Sequence, residues 1–190
     1  NLPAERDAFV GRREALTDLV RRVDAGARLI SVLGLGGTGK TRLVTRFGWD
    51  ALGKFPGGVW FCDLSEARSL DGILSAVSQG LDVPLGKEDP IVQLGHAVAG
   101  RGKCLVILDN FEQVSQAGVD VVSLLEACPE LSVLVTTREV LHVRGEHQFV
   151  VPTLPLPSAN DAPTLAALES YPSIALFLER AREVKRDFQL

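Results

Sequence analysis

The stretch Gly34-Leu35-Gly36-Gly37-Thr38-Gly39-Lys40-Thr41 determines the fold class of this chain. It matches the phosphate-binding pattern of a glycine, four residues of any type, then glycine, lysine and serine or threonine. A short aliphatic segment, residues 28–33, precedes it, and a segment with helical periodicity runs from Lys40 to about Leu52. A glycine loop between a strand and a helix is the context that this pattern requires, so we expect a nucleotide site here.

Each part of this loop has a chemical role. The glycines let consecutive backbone N–H groups point into one concavity, where the N-terminus of the next helix adds positive potential. Lys40 can reach the β- and γ-phosphates, and the Thr41 hydroxyl can ligate Mg²⁺. A glycine-rich turn that binds nothing is the alternative, which the complete motif in its proper context disfavours. The predicted phosphate-binding residues are Gly34, Gly36, Gly37, Thr38, Gly39, Lys40 and Thr41.

Two further segments are expected at the same edge of the sheet. Cys104–Asp109 is an aliphatic strand that ends in a carboxylate, where ligands of open α/β sheets collect. Asp109 is the predicted second metal residue, acting on Mg²⁺ through its water shell. Arg138 follows the fourth predicted strand, from where its cation could approach the γ-phosphate. An ordinary solvated arginine is the alternative for that position.

Strands and helices alternate along the chain. This order predicts an α/β fold with a parallel sheet of about five strands, covered by helices on both faces. The predicted helices cover residues 12–23, 40–52, 70–81, 90–99 and 119–127, and the predicted strands cover 28–33, 58–64, 103–109, 131–136 and, as a candidate fifth, 148–151.

The composition changes after Pro152, where four prolines occur within a dozen residues. Prolines at this density cannot continue a central strand, so we place a domain edge there. Residues 1–152 form the predicted nucleotide-binding domain, and residues 153–190 a linker and a helix that reaches Leu190. The first residue is Asn1 rather than methionine, which suggests a piece of a longer polypeptide.

Composition excludes several classes of protein. The chain has 190 residues, 46% of them hydrophobic and 23% charged, which excludes a small disulfide scaffold and a disordered chain. A net charge of -4 gives no basic face, so we expect no direct nucleic-acid binding by this segment. Its apolar runs are far shorter than the ~20 residues of a membrane span. Three cysteines without a Cys-x-x-Cys pair, and no signal peptide, favour a cytoplasmic location.

The motifs occur in an order that resembles the nucleotide-binding domain of STAND ATPases, which is related to the NB-ARC domain. The resemblance is strongest to the ATPase module of large bacterial LuxR-type regulators and of multidomain cyclases or kinases with tetratricopeptide repeats. It covers nearly the whole chain. The segments that carry it are Phe9-Val10-Gly11-Arg12, residues 34–41, residues 108–114, Thr136-Thr137-Arg138-Glu139, Arg144-Gly145-Glu146-His147 and Leu154-Pro155-Leu156-Pro157.

This resemblance implies a three-layer, additional-strand P-loop fold followed by the start of a helical lid. The strand that ends at Thr136 would lie between the strand before the phosphate loop and the Asp109 strand. The resemblance also implies ATP or ADP with Mg²⁺ as ligands, adenine contacts near Val10, Gly11 and Arg12, and a sensor role for Arg138. Attached effector and sensor domains, the latter helical repeats, would be the partners, together with nucleotide-dependent self-association.

The chain departs from the family pattern after Asp109. Many relatives carry an acidic residue at the next position, whereas this chain has Asn110, which cannot accept a proton as a base. Glu112, two residues further on, is the candidate substitute. The family's glutamate after Gly-Arg is Arg13 here, and its Gly-x-Pro segment would lie beyond the last helix.

These observations favour a slowly hydrolysing ATP switch of a signalling or transcription-regulatory protein. A P-loop kinase or transferase should carry an acceptor pocket with its own charged cluster, and the sequence shows none. An AAA-like assembly ATPase acting on DNA should have a basic surface and an arginine for the neighbouring subunit. The acidic balance argues against the basic surface, while Arg144 and Arg101 stay open for the second role.

Overall fold

A parallel β-sheet forms the centre of the molecule. The computed structural model describes residues 1–5, 8–86, 89–158 and 164–188. Among these residues the strands are β1 (Leu29–Leu33), β2 (Val59–Asp63), β3 (Cys104–Asp109), β4 (Leu131–Thr137) and β5 (Glu146–Val150). They lie in the order β2-β3-β4-β1-β5, and all neighbouring strands are parallel. β4 lies between β1 and β3, which confirms the additional-strand arrangement.

Helices connect these strands. They are α1 (Arg13–Asp24), α2 (Lys40–Ala51), α3 (Leu70–Leu81), α4 (Pro90–Ala99), α5 (Gly118–Ala127), α6 (Leu165–Glu169) and α7 (Pro172–Val184). Short 3-10 segments cover Leu52–Lys54 and Phe111–Ala117. Local signals position several helix starts. The Ser69 side chain accepts a hydrogen bond from the Gly72 N–H before α3, and Asp89 accepts one from Ile91 before Pro90 in α4.

The sheet separates two apolar cores. On one face, α3, α4 and α5 pack against alternate side chains of the central strands, such as Val106 of β3 and Val133 of β4. On the other face, α1 and α2 pack against the intervening side chains, such as Ile107 and Leu134. This alternation is the period of two expected for strands covered on both faces. The molecule therefore has three layers, as predicted.

The element boundaries agree closely with the sequence predictions. α3 and α4 have the predicted limits, and β1 to β4 differ from their predictions by about one residue at each end. The fifth strand begins at Glu146 rather than Gln148. The sequence analysis did not predict the 3-10 segment after β3 or the short helix α6. Both lack the apolar periodicity over several turns on which helix prediction depends.

The prediction of a last helix reaching Leu190 is wrong at its end. α7 stops at Val184, because Lys185 takes an extended backbone conformation. Gln189 and Leu190 lie outside the described residues. The division into residues 1–152 and 153–190 stays a prediction. Both parts contact each other, since Glu179 of α7 accepts a hydrogen bond from the Ala8 N–H.

Cys62, Cys104 and Cys128 are free thiols, and all three are buried. Burial raises the pKa of Cys62 to about 12 and the pKa of Cys104 to about 11. Such thiols act as small core residues rather than nucleophiles, as the sequence indicates. Of the helices in the part of the chain that the structure describes, none combines the length and apolar character required to cross a bilayer.

Candidate nucleotide-binding site

The phosphate loop follows the carboxyl end of β1 and leads directly into α2. Gly34 continues the sheet for one residue by donating its N–H to the Thr137 carbonyl oxygen. Gly39 is the residue before α2 and has a φ of 82°. This left-handed conformation strains any residue with a Cβ, so glycine lets the chain turn from the loop into the helix. Leu35, at the start of the loop, is 77% exposed.

Lys40 folds back over the loop. Its Nζ donates to the carbonyl oxygens of Gly34, at 2.8 Å, and Leu35, at 3.2 Å. The side chain is buried, with 9% of the residue exposed. These two carbonyl oxygens hold the ammonium group against the backbone of the loop. A phosphate group there would replace two neutral acceptors with a charged one, which forms the stronger hydrogen bond.

Thr41 and Asp109 meet at the carboxyl edge of the sheet, as the sequence predicts for a shared Mg²⁺ site. The Thr41 Oγ1 donates to the Asp109 carboxylate, at 3.0 Å from Oδ1 and 2.8 Å from Oδ2. Thr136, at the end of β4, donates its hydroxyl to Asp109 Oδ1 at 2.5 Å. Thr136 is a site residue whose individual role the sequence analysis missed. Its position at the end of the strand between β1 and β3 was the available signal.

The Asp109 carboxylate is almost fully enclosed, with 2% of the residue exposed. Burial raises the pKa of Asp109, and the nearby charges of Asp63 and Glu112 act in the same direction. Hydrogen bonds from Thr136 and Thr41 oppose that rise. A cation bound beside Asp109 would offset the cost of burying a negative charge on this carboxylate.

The chemistry of this pair fits Mg²⁺. A threonine hydroxyl and a carboxylate are the oxygen donors that this ion takes while keeping several waters. Thr41 and Asp109 would hold the ion, which neutralises charge on the β- and γ-phosphates when bound. Within the described ranges, no group of three or more His, Cys, Asp or Glu side chains is placed to bind a metal.

Asn110 links Asp109 to a second carboxylate at the same edge. Its backbone is left-handed, with a φ of 63°, and its N–H donates to Thr136 Oγ1 at 3.0 Å. Its side-chain Nδ2 donates to Asp63 Oδ1 at 2.9 Å. Asp63 ends β2 and pairs in register with Asp109. The sequence analysis missed Asp63, although a carboxylate at the end of a neighbouring parallel strand was a usable signal.

The pKa of Asp63 is shifted in the opposite direction to the pKa of Asp109. Burial acts to raise the pKa of Asp63, but hydrogen bonds from the Ser65 backbone and the Asn110 amide outweigh it and lower the pKa below the usual value. Asp63 is an exposed residue, in contrast to Asp109. The two carboxylates therefore differ in solvent access although they lie side by side.

Arg138 and Glu112 form an ion pair beside the phosphate loop. Arg138 Nε lies 3.0 Å from Glu112 Oε1, and the Arg138 side chain is 58% exposed. A methyl group on Gly36 would lie 3.6 Å from Arg138 Nη2, so the guanidinium group borders the loop. The Glu112 side chain is only 15% exposed, and its Oε2 is buried without a hydrogen-bond partner. Both predicted residues are thus at the site but engaged with each other.

Val10 and Arg12, two of the three residues predicted to contact adenine, line a separate pocket of about 280 Å³ beside the phosphate loop. It is lined by Phe9, Val10, Arg12, Gly37, Thr38, Gly39, Arg42, Thr153, Leu154 and Leu176. Gly11 lies behind this lining, where a Cβ would come within 2.4 Å of the Pro172 Cβ. The sequence analysis missed the lining residues at positions 153, 154 and 176, because only the tertiary fold returns α7 to the phosphate loop.

Arg12 joins three segments around this pocket. Its Nη1 donates to the Pro152 carbonyl oxygen at 2.6 Å, and its Nη2 to the Thr38 carbonyl oxygen at 2.7 Å. Burial lowers the pKa of Arg12. The guanidinium group therefore connects the N-terminal segment, the phosphate loop and the chain after β5.

The sequence around this site matches a known family. A family model described as AAA domain matches residues 21–143, which include the phosphate loop, Asp109 and Arg138. The chain belongs to the AAA domain family. Members are P-loop NTPases, so the α/β fold and the nucleotide-binding character of this AAA domain agree with its sequence motifs.

Two relatives from Mycobacterium tuberculosis are similar over most of this AAA domain. An uncharacterised protein is 33% identical over 184 residues, which cover 96% of this chain and 43% of the relative. A protein named as a putative HTH-type transcriptional regulator is 28% identical over 172 residues, covering 90% of this chain and 18% of that protein. The AAA domain thus spans less than half the length of these curated relatives.

Among solved structures, Cdc6p from Pyrobaculum aerophilum has a TM-score of 0.58 and 12% sequence identity. The alignment covers 78% of this chain and 47% of that chain. At this level of identity the similarity concerns the fold alone. It matches the parallel sheet with helices on both faces described above.

Proposed function

We propose that this AAA domain is a slowly hydrolysing ATP switch within a larger signalling or transcription-regulatory protein. The observation that carries the proposal is the hydrogen-bonded pair of Thr41 and Asp109, which are 68 residues apart in sequence. The phosphate loop leads directly to Thr41, and Gly37, Thr38 and Gly39 of the loop line the 280 Å³ pocket. A triphosphate, a cation and an adenine ring therefore each have a place around the phosphate loop.

The proposed roles follow the contacts. The backbone of residues 34–39 and the Lys40 ammonium group bind the phosphates, and Thr41 and Asp109 hold Mg²⁺. The apolar pocket, which includes Val10 and Arg12 in its lining, receives the adenosine. In hydrolysis, a water oxygen forms a bond to the γ-phosphorus and the bond to the β,γ-bridging oxygen breaks. ADP leaves with that electron pair, and the water proton ends on the released phosphate or in solvent.

Arg138 is the proposed sensor of the γ-phosphate. The guanidinium group borders Gly36 and is held by Glu112 at 3.0 Å. A γ-phosphate beside the loop offers Arg138 a second anionic acceptor, and ADP does not. With ATP bound, Arg138 would contact the γ-phosphate, and with ADP bound it would pair with Glu112. Because Glu112 lies in the segment after β3, the contacts of that segment would then depend on the bound nucleotide, which gives the switch a physical basis.

The proposed partners lie in the same polypeptide. The relatives are more than twice as long as this AAA domain, and one bears the name of an HTH-type regulator. Effector and sensor domains that read the nucleotide state are consistent with this, as is the STAND-like arrangement that the sequence resembles. We also propose nucleotide-dependent self-association and a cytoplasmic location.

An assembly ATPase that acts on DNA is less well supported. The net charge of -4 provides no basic face. Arg101, one of two arginines considered for a neighbouring subunit's site, donates to the carbonyl oxygens of Ala97 and Leu81 and stacks over Trp60. It therefore has a structural role. Arg144 is exposed, and its role in a neighbouring site stays a prediction.

Nucleotide binding is tested by thermal unfolding of nucleotide-free protein with ATP, ADP and Mg²⁺. A ligand at 100 times its dissociation constant stabilises the folded state by about 2.7 kcal/mol, which raises the melting temperature. K40A should abolish most of this shift. K54A is the matched control, because Lys54 forms a surface ion pair with Asp24 and should keep the full shift. An unchanged melting temperature with millimolar ATP and ADP contradicts the proposal.

A further inference from the structure

We infer that Asp63, at the end of β2, is the residue that holds the attacking water during ATP hydrolysis. The inference rests on the proposed function and adds a residue to it. Hydrolysis of the γ-phosphate requires a group that orients water for attack, and residue 110 cannot supply a carboxylate because it is asparagine. Two other carboxylates lie near Asp109, those of Asp63 and Glu112.

The sheet places Asp63 beside the proposed metal residue. β2 and β3 are parallel neighbours, and Asp63 and Asp109 are partners in their register. Neighbouring strands are about 4.8 Å apart, so both carboxylates leave the same edge within a short distance of each other. Asp109 is buried between Thr41 and Thr136, whereas Asp63 is exposed and open to water.

Asn110 fixes this arrangement. Its Nδ2 donates to Asp63 Oδ1 at 2.9 Å, and a weaker contact of 3.4 Å reaches Asp109 Oδ2. Its backbone N–H is held by Thr136. The Asn110 amide and the Ser65 N–H both donate to Asp63 Oδ1, which fixes the orientation of this carboxylate. Asp63 is an exposed residue, so water reaches the carboxylate.

Glu112 is less suited to the same role. One of its oxygens forms the ion pair with Arg138, and the other is buried without a partner. The side chain is 15% exposed, so little of it faces solvent. Asp63 accepts a hydrogen bond from the water, directs the water oxygen at the γ-phosphorus, and does not itself need to keep the proton.

The test compares D63N with E112Q in the same protein. The amide introduced by D63N keeps an oxygen acceptor for the Ser65 N–H and the Asn110 side chain, so the turn after β2 is retained while the charge is lost. Single-turnover hydrolysis should fall by about 10²-fold or more in D63N, the usual contribution of a positioned base or water-orienting group. E112Q should change this rate much less. ATP affinity in D63N should stay equal or rise, because a negative charge near the triphosphate is removed.

A second measurement does not depend on turnover. ADP, Mg²⁺ and aluminium fluoride form a complex that imitates the transferring phosphoryl group together with its attacking water. Wild type should gain thermal stability on addition of aluminium fluoride to ADP and Mg²⁺, and D63N should lose this gain while keeping the shift caused by ADP alone. D63S, whose hydroxyl can also accept the Ser65 N–H, serves as a second variant if D63N is unstable.

The outcomes separate the two proposals. Loss of the rate and of the aluminium fluoride effect in D63N, with ATP binding retained, supports the role of Asp63. Full activity in D63N, or a loss confined to E112Q, overturns it. Weaker ATP binding and a lower melting temperature in D63N assign Asp63 a structural role and also overturn it. A wild type that binds ATP but shows neither turnover nor the fluoride effect overturns it too, whereas failure to bind nucleotide at all defeats the proposed function.

Discussion

Arg138 provides the sharpest test at the scale of single residues. We expect R138A to weaken ATP binding by roughly tenfold to a hundredfold and to change ADP binding little. A charge-assisted hydrogen bond contributes ~1.5–3 kcal/mol, and ~1.4 kcal/mol corresponds to a factor of ten in affinity. ADP lacks the γ-phosphate that this guanidinium group is proposed to contact. Titration of both nucleotides against wild type and variant measures the difference.

R21A is the matched control for R138A. Arg21 lies in α1, its side chain is 74% exposed, and it forms a surface ion pair with Asp18. Removing it changes the net charge equally and should leave both affinities unchanged. Equal losses for ATP and ADP in R138A would make Arg138 a general anion contact, and no loss would make it an ordinary solvated arginine.

Asp109 illustrates a conflict between stability and function at one residue. Burial raises its pKa, so the folded state disfavours the carboxylate. Ionising the buried Asp109 lowers the free energy of unfolding. This loss of stability is absent at low pH, where the carboxyl group is protonated, and grows as the pH rises from the usual carboxyl pKa to the raised pKa. D109N removes this cost while an oxygen acceptor remains for the Thr41 and Thr136 hydroxyls.

We therefore expect nucleotide-free D109N to melt at a higher temperature than wild type at neutral pH. The difference should shrink as the pH falls toward the usual carboxyl pKa, because protonation neutralises Asp109 as well. The Mg²⁺-dependent part of the ATP-induced shift should be lost. Melting curves at several pH values, with and without Mg²⁺, measure both effects. A less stable D109N at neutral pH would show that the hydrogen-bonded carboxylate outweighs its burial cost.

At the scale of elements, the nucleotide pocket depends on contact between the N-terminal segment and α7. Gly11 has a φ of 69°, and a Cβ there would lie 2.4 Å from the Pro172 Cβ. We expect G11A to lower the melting temperature and to weaken ADP binding. The substitution strains the backbone and pushes α7 away from the pocket that Leu176 helps to line.

G26A separates these two causes. Gly26 has a φ of 91°, after α1, but nothing lies within 4 Å of a Cβ at that position. It should show only the backbone strain of about 1–2 kcal/mol and normal ADP affinity. Calorimetric titration of ADP with both variants measures the comparison. Equal affinities in G11A and G26A would show that the Gly11–Pro172 contact does not shape the pocket.

At the scale of the whole molecule, we expect weak hydrolysis by these 190 residues alone. Arg138, the proposed sensor of the γ-phosphate, is paired with Glu112 at 3.0 Å. This pairing reduces the positioning on which phosphoryl transfer depends. Phosphate release by wild type, with K40A as background, should give less than about 1 s⁻¹, the low end for kinases. A faster rate would contradict this expectation.

The sequence by itself determined the class of fold and most of the phosphate site. The glycine motif and the aliphatic strands that end at Leu33 and Asp109 are local patterns. A strand that is buried on both faces of a parallel sheet has to be aliphatic, and a phosphate loop has to contain these glycines. Both patterns can therefore be recognised in the sequence alone. The likeness to known motifs also anticipated the position of β4, which the register between β1 and β3 confirms.

The tertiary structure decided which groups meet. The Asn110 bridge to Asp63, the pairing of Glu112 with Arg138, and the return of Pro172 to Gly11 join residues that are 26 to 161 positions apart. No local periodicity encodes such contacts, because they depend on strand order, on the left-handed backbone at Asn110 and on the path of the chain after Pro152. The end of α7 at Val184 was not predicted either, because Phe188 continues the apolar spacing of this helix although the backbone becomes extended at Lys185.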